Sequence, residues 1–143
     1  MRLHRFLALT AVALVGGLVG CSRGPELGTV SGTVKVNGQV LPYAYVVFQP
    51  INPPGAYGSA YANDLGEYKL QFSRGRNGAP VGQHRVSIRA VKGDEVPEGS
   101  PAAPQVKIPA KYNTETELVR EVVPGHNAHD FDLVAPTIVS NRR

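Results

Sequence analysis

A chain of 143 residues with 16 glycines, 12 prolines and a single cysteine has the length of one domain and the composition of a turn-rich fold. Its 15 Lys and Arg outnumber its 11 Asp and Glu, but Arg2 and Arg5 fall in a leader, so residues 21–143 carry 13 basic and 11 acidic side chains. This near balance excludes the concentrated positive charge of a nucleic-acid-binding domain.

The first 20 residues have the three parts of an export signal. Arg2 and Arg5 form a basic start, residues 6–15 are apolar and uncharged, and small residues ending at Gly20 precede Cys21. At ~1.5 Å per residue, an apolar helix of about 14 residues reaches roughly 21 Å, short of the ~30 Å of a bilayer core. We therefore predict that residues 1–20 are a signal peptide removed after export.

The end of this leader, Leu18-Val19-Gly20-Cys21, resembles the lipobox of bacterial lipoproteins. The resemblance implies that Cys21 carries lipid on its sulfur and anchors the protein to a membrane, facing the periplasm or the cell exterior. Ser22, rather than Asp, follows the cysteine, which by analogy favours the outer membrane. With no second cysteine, no internal disulfide competes for Cys21. An ordinary secretory signal or an uncleaved anchor helix is the alternative.

Apolar and polar residues alternate in short segments along most of the remaining chain, as in half-buried strands. The segments are 29–36, 44–49, 57–62, 68–73, 84–90, 117–123 and 129–133. Asn37-Gly38 is a strong hairpin signal because both residues tolerate positive φ. Val106 and Ile108 indicate one further, short edge strand before Pro109.

About seven antiparallel strands separated by turns predict an all-β, immunoglobulin-like sandwich. We expect a tether at 21–28, the sandwich at 29–134 and a flexible tail at 135–143. The segment 93–105 has no periodicity and predicts a mobile loop. In the tail, Ile138 and Val139 offer an alternative, as a cap on a sheet edge.

Several segments, in order and spacing, resemble small bacterial lipoproteins that have a carboxypeptidase-regulatory-like domain. The resemblance implies a transthyretin-like (prealbumin-like) sandwich and a non-catalytic module with a structural or protein-interaction role. In one departure, Ala62-Asn63 replaces the usual Thr-Asp, and we expect an altered hydrogen bond in the turn that follows. The segments that carry the resemblance are 30–34 with 37–38, 41–48, 66–68, 82–88, 109–113 and 124–127.

A hydrolase of 5-hydroxyisourate shares the transthyretin architecture and gives a less favoured enzyme interpretation. Its C-terminal Tyr-Arg-Gly-Ser is missing, since this chain ends Ser140-Asn141-Arg142-Arg143. The sequence also has no Gly-x-Ser-x-Gly nucleophile motif. We predict no catalytic residues and no cofactor.

Two segments contain potential metal ligands. The turn 63–66 supplies oxygen ligands suited to calcium, but backbone turn geometry explains its composition equally well. His126 and His129, near Asp130 and Asp132, offer transition-metal ligands, although we expect His126 in a turn and His129 pointing away from both carboxylates. His84 occupies a core-facing position in the alternation of segment 84–90, so we predict that it is buried and hydrogen-bonded.

A basic and aromatic sheet face is the candidate binding surface. Such a face could hold anionic glycans, peptidoglycan or an acidic protein. The alternative is that outward positions of an exposed sheet are simply polar. The residues are Tyr45, Tyr61, Lys69, Arg85 and Arg89, with Arg74 and Arg76 in a neighbouring turn.

Overall fold

A computed structural model describes residues 24–136, except the side chain of Arg74. The predicted signal peptide at 1–20, Cys21 and the pair Ile138–Val139 lie outside the described residues. Within them the chain forms ten strands: β1 Leu27–Val36, β2 Gln39–Val40, β3 Tyr45–Pro50, β4 Gly58–Tyr61, β5 Glu67–Lys69, β6 Ala79–Pro80, β7 Gly82–Arg89, β8 Val119–Val122, β9 Gly125–Ala128 and β10 Phe131–Leu133.

The strands form two sheets, which confirms the all-β sandwich. In the first sheet the long β1 is central, with β6, β5 and β2 along one side and β9 and β10 along the other. The second sheet has the order β4-β3-β7-β8 and is antiparallel throughout. Three short 3₁₀ helices lie in the connections, at Ser73–Gly75, Gly93–Glu95 and Ala110–Tyr112. Across residues 24–136, no helix is both long and apolar enough to cross a membrane.

The core lies between the sheets and is built by the predicted alternation. Val30 and Val34 of β1, Val46 and Phe48 of β3 and Ile88 of β7 are fully buried. Each such side chain contributes about 1.5–3 kcal/mol by leaving water. The hairpin after β1 also forms as predicted, with positive φ at both residues between the paired Val36 and Gln39.

Most strand pairs are antiparallel, as predicted, but β9 and β10 differ and run parallel to β1. The reason lies in the crossover between sheets. β8 ends beside the start of β1, so the chain re-enters the first sheet at the same end as β1 and in the same direction. His126 therefore lies in β9, not in a turn as the sequence suggested.

The predicted edge strand at Val106 and Ile108 does not form. Ile108 is nevertheless buried and Val106 packs against the core. Pro104 and Pro109 flank this segment and have no backbone N–H, which weakens a strand here. The pattern correctly indicated burial but not pairing.

The folded domain extends slightly past the expected boundaries at both ends. β1 begins at Leu27, inside the expected tether. Ala135 is buried and exchanges two hydrogen bonds with the Asn37 side chain, of 2.9 and 3.1 Å. We name the end of the sandwich where β1 begins the proximal end, and the end where β1 finishes the distal end. With ~3.3 Å per strand residue, they are about 30 Å apart.

The junction between β9 and β10 passes unusually close to β1 at Gly32. A Cβ on Gly32 would lie 2.0 Å from the carbonyl oxygen of His129, so only glycine fits there. The Tyr68 hydroxyl donates a 2.6 Å hydrogen bond to that carbonyl, and the Asp130 carboxylate accepts one of 2.7 Å from the Thr33 N–H. These contacts hold both parallel strands in register with β1. Burial raises the pKa of Tyr68, so its hydroxyl stays protonated and able to donate.

Candidate functional site

Three of the five candidate binding residues meet at the distal end of the second sheet. Tyr45 of β3 lies opposite Tyr61 of β4 on one side and Arg89 of β7 on the other. The two tyrosine ring centroids are 4.6 Å apart, and the Arg89 guanidinium lies 4.8 Å from the centroid of Tyr45. Strand register therefore assembles an aromatic pair capped by a cation.

Arg89 forms an ion pair with Glu95 at the protein surface, where the two side chains are 41% and 30% exposed. Its two terminal nitrogens donate hydrogen bonds of 2.9 and 2.8 Å to the two carboxylate oxygens of Glu95. The Lys92 backbone N–H donates a third bond, of 2.9 Å, to the same carboxylate. The hydrogen bonds from Arg89, and then that from Lys92, lower the pKa of Glu95 to about 2. Arg89 is thus a paired cation, not one free to bind an anion.

Arg85 and Lys69 lie elsewhere, so the expectation of one basic face is wrong. Arg85 projects from the same strand as Arg89 but four residues nearer the proximal end, a separation of about 13 Å. Lys69 belongs to β5 in the other sheet, where it pairs with Ser31. Alternation predicted that both point outward, but it carries no information on which sheet receives each strand.

A groove of about 520 Å³ lies beside the Tyr45–Tyr61–Arg89 cluster, and we call it the distal groove. Tyr61, which is 54% exposed, lines it together with Glu95 and the loop residue Pro97. Asp64 adds a second carboxylate. Its lining is therefore aromatic and acidic rather than basic.

Tyr43, which also lines the distal groove, was not singled out by the sequence. It is buried and has a φ of 59°, a left-handed conformation that is unusual for an aromatic residue. Its backbone N–H donates a 3.2 Å hydrogen bond to the carbonyl of Asn63, which helps to hold this conformation. Leu41-Pro42-Tyr43-Ala44 contains no glycine, so no sequence signal indicated positive φ.

The turn 63–66 uses the side-chain oxygen of Asn63 internally. The Asn63 side-chain oxygen accepts 2.9 Å hydrogen bonds from the backbone N–H groups of Leu65 and Glu67, and its amide nitrogen donates to the Glu67 carboxylate at 3.1 Å. Asn63 therefore closes the turn by its own side chain despite the departure noted in the sequence. Gly66 completes the turn with a φ of 74°.

The histidines are dispersed. The His129 ring nitrogen Nε2 lies 3.0 Å from the Glu121 carbonyl oxygen, and His126 Nδ1 lies 3.4 Å from the Thr29 hydroxyl. Asp130 accepts from the backbone of Thr33, as above, and Asp132 from that of Gly38. No group of three or more His, Cys, Asp or Glu side chains in residues 24–136 is placed to hold a metal ion.

His84 is fully buried, as predicted, but only half hydrogen-bonded. Its Nδ1 lies 3.0 Å from the carbonyl oxygen of Gly82, whereas Nε2 has no partner within the described part of the chain. Phe48 packs beside the ring at a centroid separation of 5.9 Å. Burial lowers the pKa of His84, and the nearby His129 lowers it further against the opposing effect of the Gly82 hydrogen bond.

Asn127 is a structural residue that the sequence analysis missed. It is buried at the crossover from β8 to β9, and its amide nitrogen donates to the carbonyls of Val123 at 2.8 Å and Thr29 at 3.1 Å. Its side-chain oxygen accepts a 2.9 Å bond from the Val123 N–H. One side chain thus ties the second sheet's last strand to β1.

Comparison of the chain with protein-family models, with curated proteins and with solved structures found no match.

Proposed function

We propose that the protein is a lipid-anchored β-sandwich of the cell envelope, acting without catalysis as a structural or protein-interaction module. The observation that carries this proposal is the position of the fold relative to Cys21. The leader resembles a lipoprotein signal that ends at Cys21, and the first strand begins only six residues later, at Leu27.

The short connection defines the orientation of such a module. Leu27 follows Cys21 by six residues, so the two lie at most about 22 Å apart when the connection is fully extended. The proximal end of the sandwich then stays near the membrane, while the distal groove lies about 30 Å farther out. In this arrangement the distal groove is available to molecules of the envelope.

The anchor itself supplies the membrane affinity. Each acyl CH₂ transferred from water to lipid contributes ~0.8 kcal/mol; one chain binds reversibly, whereas two or three hold almost permanently. The lipobox resemblance implies two chains on the Cys21 sulfur, with or without a third on its amine. Ser22 after the cysteine favours the outer membrane.

Replacing Cys21 by alanine tests the anchor. We expect the wild-type protein to partition into the detergent phase and Cys21→Ala to leave it once the signal is removed. Ser22→Ala is the matched control and should behave as the wild type. A processed Cys21→Ala protein that stays wholly in the detergent phase would contradict the proposal.

The distal groove supports a second candidate, a carbohydrate- or peptidoglycan-binding domain. The exposed ring of Tyr61 is fixed by Tyr45 and offers a flat apolar surface for a sugar ring. The carboxylates of Asp64 and Glu95 can accept hydrogen bonds from sugar hydroxyls. Because Arg89 is paired and the lining is acidic, this candidate favours uncharged sugars over the anionic glycans that the sequence suggested.

Sedimentation with insoluble peptidoglycan separates the two candidates. The matched pair of variants is Tyr61→Ala in the distal groove and Tyr57→Ala at the proximal end, since these side chains are 54% and 49% exposed. Binding that is lost in Tyr61→Ala alone supports the glycan candidate. Binding that is absent in the wild type, or equal in both variants, rejects it. Turnover of 5-hydroxyisourate by the wild type would instead support the hydrolase.

A further inference from the structure

We propose that the proximal end of the sandwich is a lipid-contacting face that rests on an anionic phospholipid surface through Tyr57, Val81, Val123 and Arg76. This inference rests on the proposed anchor at Cys21 and adds a second, non-covalent contact with the same membrane. Three observations carry it: where these residues lie, how charge is distributed between the two ends, and how short the connection to Cys21 is.

The four residues surround the point where the chain enters β1. The Val81 N–H donates a 2.9 Å hydrogen bond to the carbonyl of Glu26, immediately before β1. On the other side of β1, the carbonyl oxygen of Val123 lies so close to Gly28 that a Cβ there would be 2.2 Å away. The side chains of both valines are exposed.

Tyr57 and Arg76 extend this face across the second sheet and its turns. Tyr57 precedes Gly58, which touches the backbone of Gly78 beside the start of β1. An Arg76 terminal nitrogen donates a 2.8 Å hydrogen bond to the carbonyl of Pro25, in the chain that leads toward Cys21. An exposed tyrosine is a side chain suited to the boundary between apolar lipid and water.

Exposed apolar side chains occur at both ends, and charge distinguishes the two. The proximal connections 51–57, 73–78 and 123–124 contain no Asp or Glu and include Arg74 and Arg76; the acids next to them are the exposed Glu26 and Glu121. The distal loops, in contrast, hold four acidic residues, Asp64, Asp94, Glu95 and Glu98, against the two lysines Lys92 and Lys107. An anionic surface therefore favours contact with the proximal end over contact with the distal end.

The short connection selects lipid as the occupant of this face. The six-residue step from Cys21 keeps Leu27 within about 22 Å of it, a distance smaller than the length of the sandwich. A protein partner would have to fit between the domain and the lipid to which it is joined. The lipid surface itself is already in place.

Vesicle capture through an artificial tether tests this face without relying on acylation. All ten strands lie between Leu27 and Leu133, so residues 1–21 are replaced by a hexahistidine segment, which also removes the only cysteine. An environment-sensitive fluorophore is placed at Val123→Cys or, as control, at Val40→Cys in the distal hairpin; both native side chains are 46% exposed. Both proteins are captured on phosphatidylcholine vesicles that contain a nickel-chelating lipid, with or without phosphatidylglycerol.

The expected result is a shift of fluorescence to shorter wavelength at position 123, and none at position 40, on vesicles with phosphatidylglycerol. Salt at about 1 M, where the screening length is ~3 Å, should reduce the shift. No shift at 123, an equal shift at both positions, or an equal response without phosphatidylglycerol overturns the proposal. Tyr57→Cys provides a second probe if Val123→Cys does not fold. Capture does not use Cys21, so a negative result in the vesicle assay would not contradict the proposed lipid anchor. In the same way, an unmodified Cys21 would not contradict a positive result in the vesicle assay.

Discussion

Replacing Asn127 by aspartate changes one side-chain NH₂ group into an oxygen at the crossover between the sheets. The native amide nitrogen donates to the carbonyls of Val123 and Thr29, at 2.8 and 3.1 Å, and lies 3.4 Å from that of Gly125. In Asn127→Asp a carboxylate oxygen faces these carbonyls instead. The other oxygen keeps the 2.9 Å bond from the Val123 N–H.

The expected cost follows from the groups left unpaired. Each buried polar group that loses its partner costs about 1–3 kcal/mol, and the two closest carbonyls lose theirs. A buried charge adds to this cost. We therefore expect Asn127→Asp to lower the free energy of unfolding by about 3–5 kcal/mol at neutral pH. Asn127→Ala, which adds no charge, should lose less.

The cost should also depend on pH. Burial and the surrounding carbonyls raise the pKa of the new carboxyl above its unfolded value of about 3.9. The folded variant then binds more protons than the unfolded one, so stability falls as pH rises between the two pKa values. The deficit relative to Asn127→Ala should shrink on acidification, since a protonated acid is neutral and donates one hydrogen bond.

Urea unfolding followed by far-ultraviolet circular dichroism at about pH 7 and about pH 4 measures both effects. The alanine variant at each pH removes the contribution of other titrating groups. An Asn127→Asp protein within ~0.5 kcal/mol of the wild type at neutral pH, a change within the range of ordinary surface substitutions, would refute the bonding assigned to Asn127. A pH-independent deficit would refute the buried position of the carboxyl.

Three further predictions address other positions. Because burial lowers the pKa of His84, the unfolded state binds the proton more readily, and the wild type should lose stability relative to His84→Leu as pH falls below about 6.5. Parallel stability curves from thermal unfolding would contradict this. Gly32→Ala should cost about 1–3 kcal/mol because its Cβ meets the His129 carbonyl, whereas Gly55→Ala, with no atom near its Cβ, should cost little in the same urea assay. Arg89→Gln should raise the pKa of Glu95 from about 2 toward 4.5 in a side-chain carbon NMR titration; an unchanged pKa would rule out the hydrogen bonds from Arg89 as its main cause.

The strands that the sequence predicted are those whose side chains alternate between core and solvent. The apolar alternation identifies Val30 and Val34 of β1, and Val46 and Phe48 of β3, as core-facing positions. The same apolar side chains produce the alternation in the sequence and fill the core in the structure. β9 gave no such signal. Its sequence, Gly-His-Asn-Ala, has no apolar alternation, and its buried position is occupied by Asn127, whose amide groups are satisfied only in the folded structure.

The candidate binding surface shows the same division between local and long-range information. Alternation correctly placed Tyr45 and Tyr61 on outward positions, but only the register between β3 and β4 brings their rings together. Neutralisation of Arg89 depends on Glu95, six residues later in a loop without periodicity. Lys69 was assigned to the wrong sheet because strand order is set by contacts between distant parts of the chain.

The most direct test of the account is the intact mass of the membrane-extracted protein, produced from the full-length gene in a double-membraned bacterium. We expect a chain that starts at Cys21 and whose mass exceeds that of the unmodified residues 21–143 by a diacylglyceryl group, with or without one further acyl chain. A mass showing an unmodified Cys21, or residues 1–20 still attached, would contradict it.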